Sequence, residues 1–205
     1  MKSISDLTSI RLNLRKAIYL GLIFAIFGCS KNTSEVKYEK TEKDASDKDI
    51  IWNIKAIHPE GRMINVKALD KNGNIYDVKA IQDSDQRHLL DIKAFVGETK
   101  MPVKILLSDD KYAPVKAIGN DGTIYDIKAL TSNGDILDVK GVASSGNIIH
   151  IKAINKEGEF YGIKAISPDG QLNDVKGVKM KKERLETKIN GVDVHAHIKA
   201  LIQTD

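Results

Sequence analysis

Apolar and polar residues alternate in short stretches along most of the chain, and the stretches recur at a fixed spacing. In Gly122 Thr123 Ile124 Tyr125 Asp126 Ile127 Lys128 Ala129 Leu130, every second residue from Tyr125 is apolar, and the same grammar returns twelve residues later around Lys140. Lysine marks the phase at Lys55, Lys67 and Lys79, then at Lys104, Lys116, Lys128, Lys140, Lys152, Lys164 and Lys176, with Lys93 slightly out of step. Period-2 alternation rich in β-branched side chains and bounded by turn residues predicts strands. A fixed short period predicts a repeat architecture. Side chains on a strand alternate faces, so Tyr125, Ile127 and Ala129 share one side while Asp126 and Lys128 share the other. The first side is apolar in nearly every unit, as in Trp52, Ile54, Ala56 and Ile64, Val66, Ala68, and is the expected core face. No stretch combines helical period with helix caps, so negligible α-helix is expected beyond the N-terminal segment.

The turns read Pro59 Glu60 Gly61, Lys71 Asn72 Gly73, Asn120 Asp121 Gly122, Ser132 Asn133 Gly134, Ser144 Ser145 Gly146, Lys156 Glu157 Gly158 and Pro168 Asp169 Gly170. Asn-Gly and Asp-Gly are hairpin signals, which suggests an antiparallel meander. In such a sheet the core-facing residues switch between hydrogen-bonded and non-hydrogen-bonded pairs from one strand gap to the next. A meander with one strand per repeat should then show two alternating kinds of turn, and the turn sequences do not alternate. A solenoid or two-sheet β-roll with two units per coil escapes this conflict and would stack Lys128 on Lys152 at about 4.8 Å. It also stacks lysine on lysine, whereas a meander sets Asp126 or Asp138 opposite a neighbouring lysine for about 0.2 to 1 kcal/mol per pair. The preferred reading is an all-β domain of about twelve units, solenoid or β-roll, with the antiparallel meander as the alternative. In the middle, Lys79 to Lys93 is two residues long, Lys93 to Lys104 is one short, and Pro102 and Pro114 replace the mid-strand Asp. Proline cannot donate to a ladder, so an edge, bulge or bend is expected there. Near the end, Lys188 Ile189 Asn190 Gly191 Val192 Asp193 Val194 reads as a two-residue hairpin that would cap the repeat stack.

The first residues follow a different grammar. Lys2, Arg11, Arg15 and Lys16 precede an uncharged run from Ala17 to Phe27 that ends at Gly28 and Cys29, the pattern of a secretory signal peptide over 1–28. As a helix that run would reach only about 16 Å, too short for a bilayer core of roughly 30 Å. Ile26 Phe27 Gly28 Cys29 resembles the lipobox of bacterial lipoproteins, which implies cleavage before Cys29 and lipidation of it. Cys29 is the only cysteine, whereas an exported protein with structural disulfides would carry cysteines in pairs. By resemblance to lipoprotein sorting, Ser30 in place of Asp implies the outer membrane. Residues 29–49, rich in Lys, Glu, Asp and Ser, have little to bury and read as a tether. The β-repeat domain would then fill 50–205.

Candidate chemistry is sparse. The chain shows no Gly-rich phosphate loop, no serine elbow and no helix with paired histidines, and the recurrent aspartates at 77, 91, 126, 138 and 174 belong to the repeat. An enzyme is not expected, nor a cofactor. His195 and His197 lie two apart on a strand, a spacing that puts both on one side and can chelate a metal, though two ligands make an incomplete site. The formal net charge is +4. Lys116, Lys128, Lys140, Lys152, Lys164 and Lys176 fall at one strand position and would form a basic stripe suited to anionic glycans or lipid phosphates. Few exposed aromatics accompany it, which disfavours nucleic acid. Lysine also keeps a repeat sheet soluble and blunts edge pairing.

Two readings follow. One is a lipid-anchored envelope protein with a structural or interaction role, whose partners are the membrane, through its anchor, and an anionic glycan or envelope protein. The other is a module for a small ligand or metal, centred on the terminal histidines or the irregular middle. Departures from the repeat gathered in one concave pocket would favour the second, and a uniform rod the first.

Overall fold

The computed structural model describes residues 50–83, 88–180 and 188–203. The described residues lie in one compact unit. The signal segment, the tether up to residue 49 and Cys29 fall outside the described residues.

The alternation becomes strands as expected, and every described regular element is a strand: β1 (Ile51–Ile57), β2 (Met63–Leu69), β3 (Ile75–Ile81), β4 (Leu89–Val96), β5 (Thr99–Leu106), β6 (Ala113–Ile118), β7 (Ile124–Leu130), β8 (Ile136–Ser145), β9 (Ile148–Ile154), β10 (Phe160–Ile166), β11 (Leu172–Lys179), β12 (Lys188–Ile189) and β13 (Val192–Leu201). The all-β, twelve-residue repeat therefore holds, with β12 as a short extra strand. Every pairing is antiparallel, as in a meander. The coil that would stack Lys128 on Lys152 does not form: Lys128 lies opposite Lys67 on one flank and Asp138 on the other, while Lys152 lies opposite Lys140 and Gly162.

The order of pairing goes beyond a simple meander. Leaving β12 aside, each strand keeps one neighbour along one flank and divides the other flank between two. The divided flanks join strands into four triangles in which every member pairs with both others: β1, β2 and β3; β4, β5 and β13; β6, β7 and β8; and β9, β10 and β11. We call these corners. The undivided flanks form six seams, β1–β10, β2–β7, β3–β4, β5–β6, β8–β9 and β11–β13. Each corner is joined to each other corner by one seam, which is the connectivity of a tetrahedron.

This arrangement answers the turn problem. Six hairpins inside the corners use one turn, in which the glycine N–H donates to a carbonyl three residues back and the strands close by a second bond, as in Gly122 to Gly119 and Gly119 to Thr123. Because each strand changes partner halfway, successive hairpins can repeat one geometry while the chain folds round a corner. No free edge is found at Pro102 or Pro114, though the chain does bend at residues 109–112, just ahead of Pro114. The ring of strands is closed; Pro102 is the last residue of β5 to face β4 before β5 turns to β13, and Pro114 the last of β6 to face β8 before β6 turns to β7. At such a change of partner a missing N–H interrupts the ladder least. The bulges lie elsewhere, in β8 at Gly141/Ala143 and in β13 at Val194/Ala196. The Asn190–Gly191 hairpin forms, with both residues at positive φ, but β13 caps no stack. It is the twelfth repeat strand and completes the ring against β4, β5 and β11.

The core is one cluster built from the inner positions of all twelve repeat strands. Across the seams a β-branched residue regularly meets a small one: Ile54 faces Ala165, Val66 faces Ala129, Val139 faces Ala153 and Val175 faces Ala200. The residue after each lysine must be small because it also meets a large neighbour at the corner, as Ala56 meets Ile64 and Ala153 meets Tyr161. Ile105 departs from this rule. It fills the space left by Gly141 and Gly177, the two glycines at the same repeat position; a Cβ on Gly177 would lie 2.5 Å from the Ile105 Cδ1.

Candidate functional site

On the outer face most repeat strands carry, in order, an apolar residue, a polar one, the lysine and another apolar residue. The fold fixes two neighbours for every lysine. Across its seam it faces the lysine of the partner strand: Lys55 faces Lys164, Lys67 Lys128, Lys79 Lys93, Lys104 Lys116, Lys140 Lys152 and Lys176 Lys199. Like charges directly opposite are unfavourable. At the corner it faces the residue two before the neighbour's lysine, which is most often Asp or Asn. Lys67 donates to Asp77, Lys116 to Asp126, Lys128 to Asp138, Lys164 to Asp174, Lys55 to Asn65, Lys79 to Asn53 at 2.6 Å and Lys199 to Asp91 at 2.8 Å. Where the corner residue is an aspartate the seam repulsion is offset there, and most lysine stems lie along the sheet in partly buried positions, keeping their ammonium groups at the surface. The ammonium of Lys67 beside Asp77, and that of Lys164 beside Asp174, hold those carboxyls below their ordinary range.

The six lysines expected to form a stripe therefore form two triangles instead. Lys116, Lys128 and Lys140 belong to the β6–β7–β8 corner, and Lys152, Lys164 and Lys176 to the β9–β10–β11 corner. Four of them have an aspartate, since Asp174 also pairs with Lys176 at 3.2 Å. Lys140 and Lys152, which face each other where the two corners meet, have none: the residues opposite them are Pro114 and Gly162. Among the described residues they are the two repeat lysines whose side chains make no hydrogen bond or ion pair. Two residues before those same positions stand Tyr112 and Phe160, whose rings meet edge to face with centroids 6.1 Å apart. Lys111 adds a third ammonium 5.0 Å from the Tyr112 ring centre, and Phe160 is 42% exposed. Pro114 stood out in the sequence as a departure from the repeat and Gly162 did not, and only the pairing shows that together they strip the acid from one and the same seam.

A second cluster of departures sits at the β4–β5–β13 corner. Lys104 is buried, its ammonium against the Nδ1 of His197, and Asp91 and Lys199 pair nearby. Burial lowers the Lys104 pKa to about 8. Burial and then the Lys104 charge lower that of His197 to about 4, so both are predominantly neutral above pH 8. His195 and His197 do share the outer side of β13, alternating with buried Val194 and Ala196. A lysine ammonium on the His197 nitrogen competes with a metal for its lone pair, and among the described residues no group of three His, Cys, Asp or Glu side chains is placed to hold an ion.

A concavity lies elsewhere on the domain. A groove of about 770 Å³ opens between the β1–β2, β7–β8 and β9–β10 turns, with Met63, Ile75 and Ile136 on its apolar side and Lys67, Asp135 and Lys156 among its polar groups. Its lining follows the repeat grammar, so the departures from the repeat do not gather in it.

No curated protein and no solved structure matches the chain. Residues 48–201, three quarters of the sequence, match the family of unknown function DUF7486, and the chain belongs to that family.

Proposed function

We propose that this is a lipid-anchored cell-envelope protein of the outer membrane, with a structural or interaction role, whose closed β-repeat body contacts anionic envelope or host polymers. The anchor rests on the signal segment and Cys29 in the sequence. The polymer contact rests on one observation above the rest, the facing pair Lys140 and Lys152, which alone among the repeat lysines lacks a partner at the junction of two lysine-rich corners. Elsewhere on the outer face the repeat lysines hydrogen-bond or ion-pair with an aspartate, an asparagine or, at Lys104, His197, so among the described residues these two ammonium groups are the ones left without a polar partner.

Binding to heparin or lipopolysaccharide should weaken linearly with log salt, because each neutralised anion releases a counterion. Replacing Lys140 and Lys152 with Gln should flatten that slope by about 1 to 2, while Lys116→Gln with Lys128→Gln, already paired to aspartates, should change it less. Binding indifferent to salt, or to the loss of Lys140 and Lys152, would overturn the polymer reading. For the anchor, wild type should stay with membranes after a high-salt wash and Cys29→Ser should be released, since each buried methylene contributes about 0.8 kcal/mol. Retention of the Cys29→Ser form would overturn the anchor.

A further inference from the structure

We propose that the β8–β9 seam is a defined saccharide site, taking a sugar that bears a carboxylate, sulfate or phosphate; this rests on the polymer-binding reading and narrows it to one locus. The recognising groups are Lys140 and Lys152 for the anion, and Phe160 with Tyr112 for the ring. The two lysines lie directly opposite each other, with Pro114 and Gly162 on their outer sides in place of the usual acid. An anionic group there meets two ammonium ions with no carboxylate opposite either of them. Beside the pair, Tyr112, in the bend just before β6, and Phe160, the first residue of β10, come together edge to face at 6.1 Å. That geometry fixes both rings while 42% of Phe160 stays in water. A flat, fixed, exposed aromatic surface takes the C–H face of a pyranose without desolvating the hydroxyls on its rim, and loses little entropy in doing so.

The alternative polyanion, nucleic acid, fits less well. A backbone with a charge on every nucleotide needs an extended cationic track and successive stacking platforms, whereas the lysines on either side of this seam are already held by Asp126, Asp138 and Asp174. Two free ammonium groups and one aromatic pair suit one charged sugar unit.

The test uses the full chain in detergent with three probes: a heparin hexasaccharide, inorganic tripolyphosphate and a single-stranded oligonucleotide. Variants are Lys140→Gln with Lys152→Gln, and Phe160→Leu, which keeps apolar bulk but removes the ring face. The expected result is that the lysine double variant weakens hexasaccharide and tripolyphosphate alike by tenfold or so, while Phe160→Leu weakens the hexasaccharide about fivefold and leaves tripolyphosphate unchanged. If Phe160→Leu leaves hexasaccharide binding intact while the lysine variant removes it, the saccharide site is wrong and the general polymer reading stands. If neither variant matters, both fall. An oligonucleotide bound more tightly than the hexasaccharide, with dependence on Phe160, would overturn the saccharide assignment in favour of nucleic acid. Unchanged thermal unfolding of both variants establishes that any loss is local.

Discussion

Lys104 and His197 occupy the places that Lys and Asx hold in other repeats, yet the fold buries the lysine and gives it an imidazole instead of a carboxylate. A lysine whose folded pKa lies near 8, below its unfolded value, binds its proton more weakly in the folded chain. Between that value and the unfolded pKa the unfolded chain holds more protons, so Lys104 should make stability rise as pH rises from about 8 to about 10. His197 acts in the same direction lower down: with a folded pKa near 4, it should make stability fall as pH drops through the ordinary histidine range. Melting temperatures of wild type and Lys104→Met across this range should converge towards pH 10 and separate near pH 7, with the methionine variant the more stable at neutral pH. A constant difference between the two curves would refute the assignment. The ion pairs offer a second comparison. Asp91 and Lys199 are 14% and 15% exposed, whereas Asp126 is 44% exposed. Asp91→Ala should cost about 1 to 3 kcal/mol by leaving Lys199 half-buried and unpaired, and Asp126→Ala less than about 1 kcal/mol, by urea denaturation.

Within the elements, Ile105 shows how one strand's deviation is absorbed by two others. Gly177→Ala brings a methyl onto the Ile105 Cδ1 and within 3.0 Å of the Ile149 Cβ, and should destabilise by about 1 to 3 kcal/mol. Ile105→Ala alone should cost about 2 to 5 kcal/mol by opening a cavity. Combined with Gly141→Ala and Gly177→Ala it restores the common pattern, and the triple variant should be well above the sum of its parts; simple additivity would rule out the coupling. The strands, their inner faces and the repeated turn were all legible in the sequence, because alternation and glycine placement are local properties. The discriminating pair was legible too: Asp126 and Asp138 do lie opposite Lys116 and Lys128. The seams were not, because every strand offers a seam partner the same lysine and the same big-to-small inner pair. Nothing local marks Lys55 for Lys164 or Lys67 for Lys128, and closure in space makes that choice. The Lys140–Lys152 site is a product of one such seam, so it was hidden for the same reason. In a Cys29→Ser background, Lys67→Cys with Lys128→Cys should oxidise readily, since facing Cα atoms in an antiparallel pair lie about 4.5 to 5.5 Å apart, within disulfide reach. Lys128→Cys with Lys152→Cys should stay reduced, because β8 intervenes; a disulfide there in the folded protein would contradict the pairing.

At the scale of the whole domain, the tetrahedral connectivity means that no strand can leave without breaking contacts at one corner and along one seam. A stacked repeat protein has stability close to a sum over neighbouring units; here the units are mutually dependent. Unfolding followed by two probes, Trp52 fluorescence in β1 and hydrogen exchange of the amides of β7, should give coincident transitions. Early melting of one end, as in a linear array, would not fit this closure.

The same closure sets the copy number. A linear array can gain or lose a module by unequal recombination and remain a shorter or longer version of itself, so its relatives drift in length. A network in which four triplets each contact the other three is complete at twelve repeat strands; eleven modules leave a place empty, and a thirteenth has no vacancy to fill. Tandem duplication could have built this gene, but once the last strand found its place the count was locked, and further change could proceed only by substitution within units. Excising one unit, such as residues 122–133, should therefore yield an unfolded chain rather than a smaller domain.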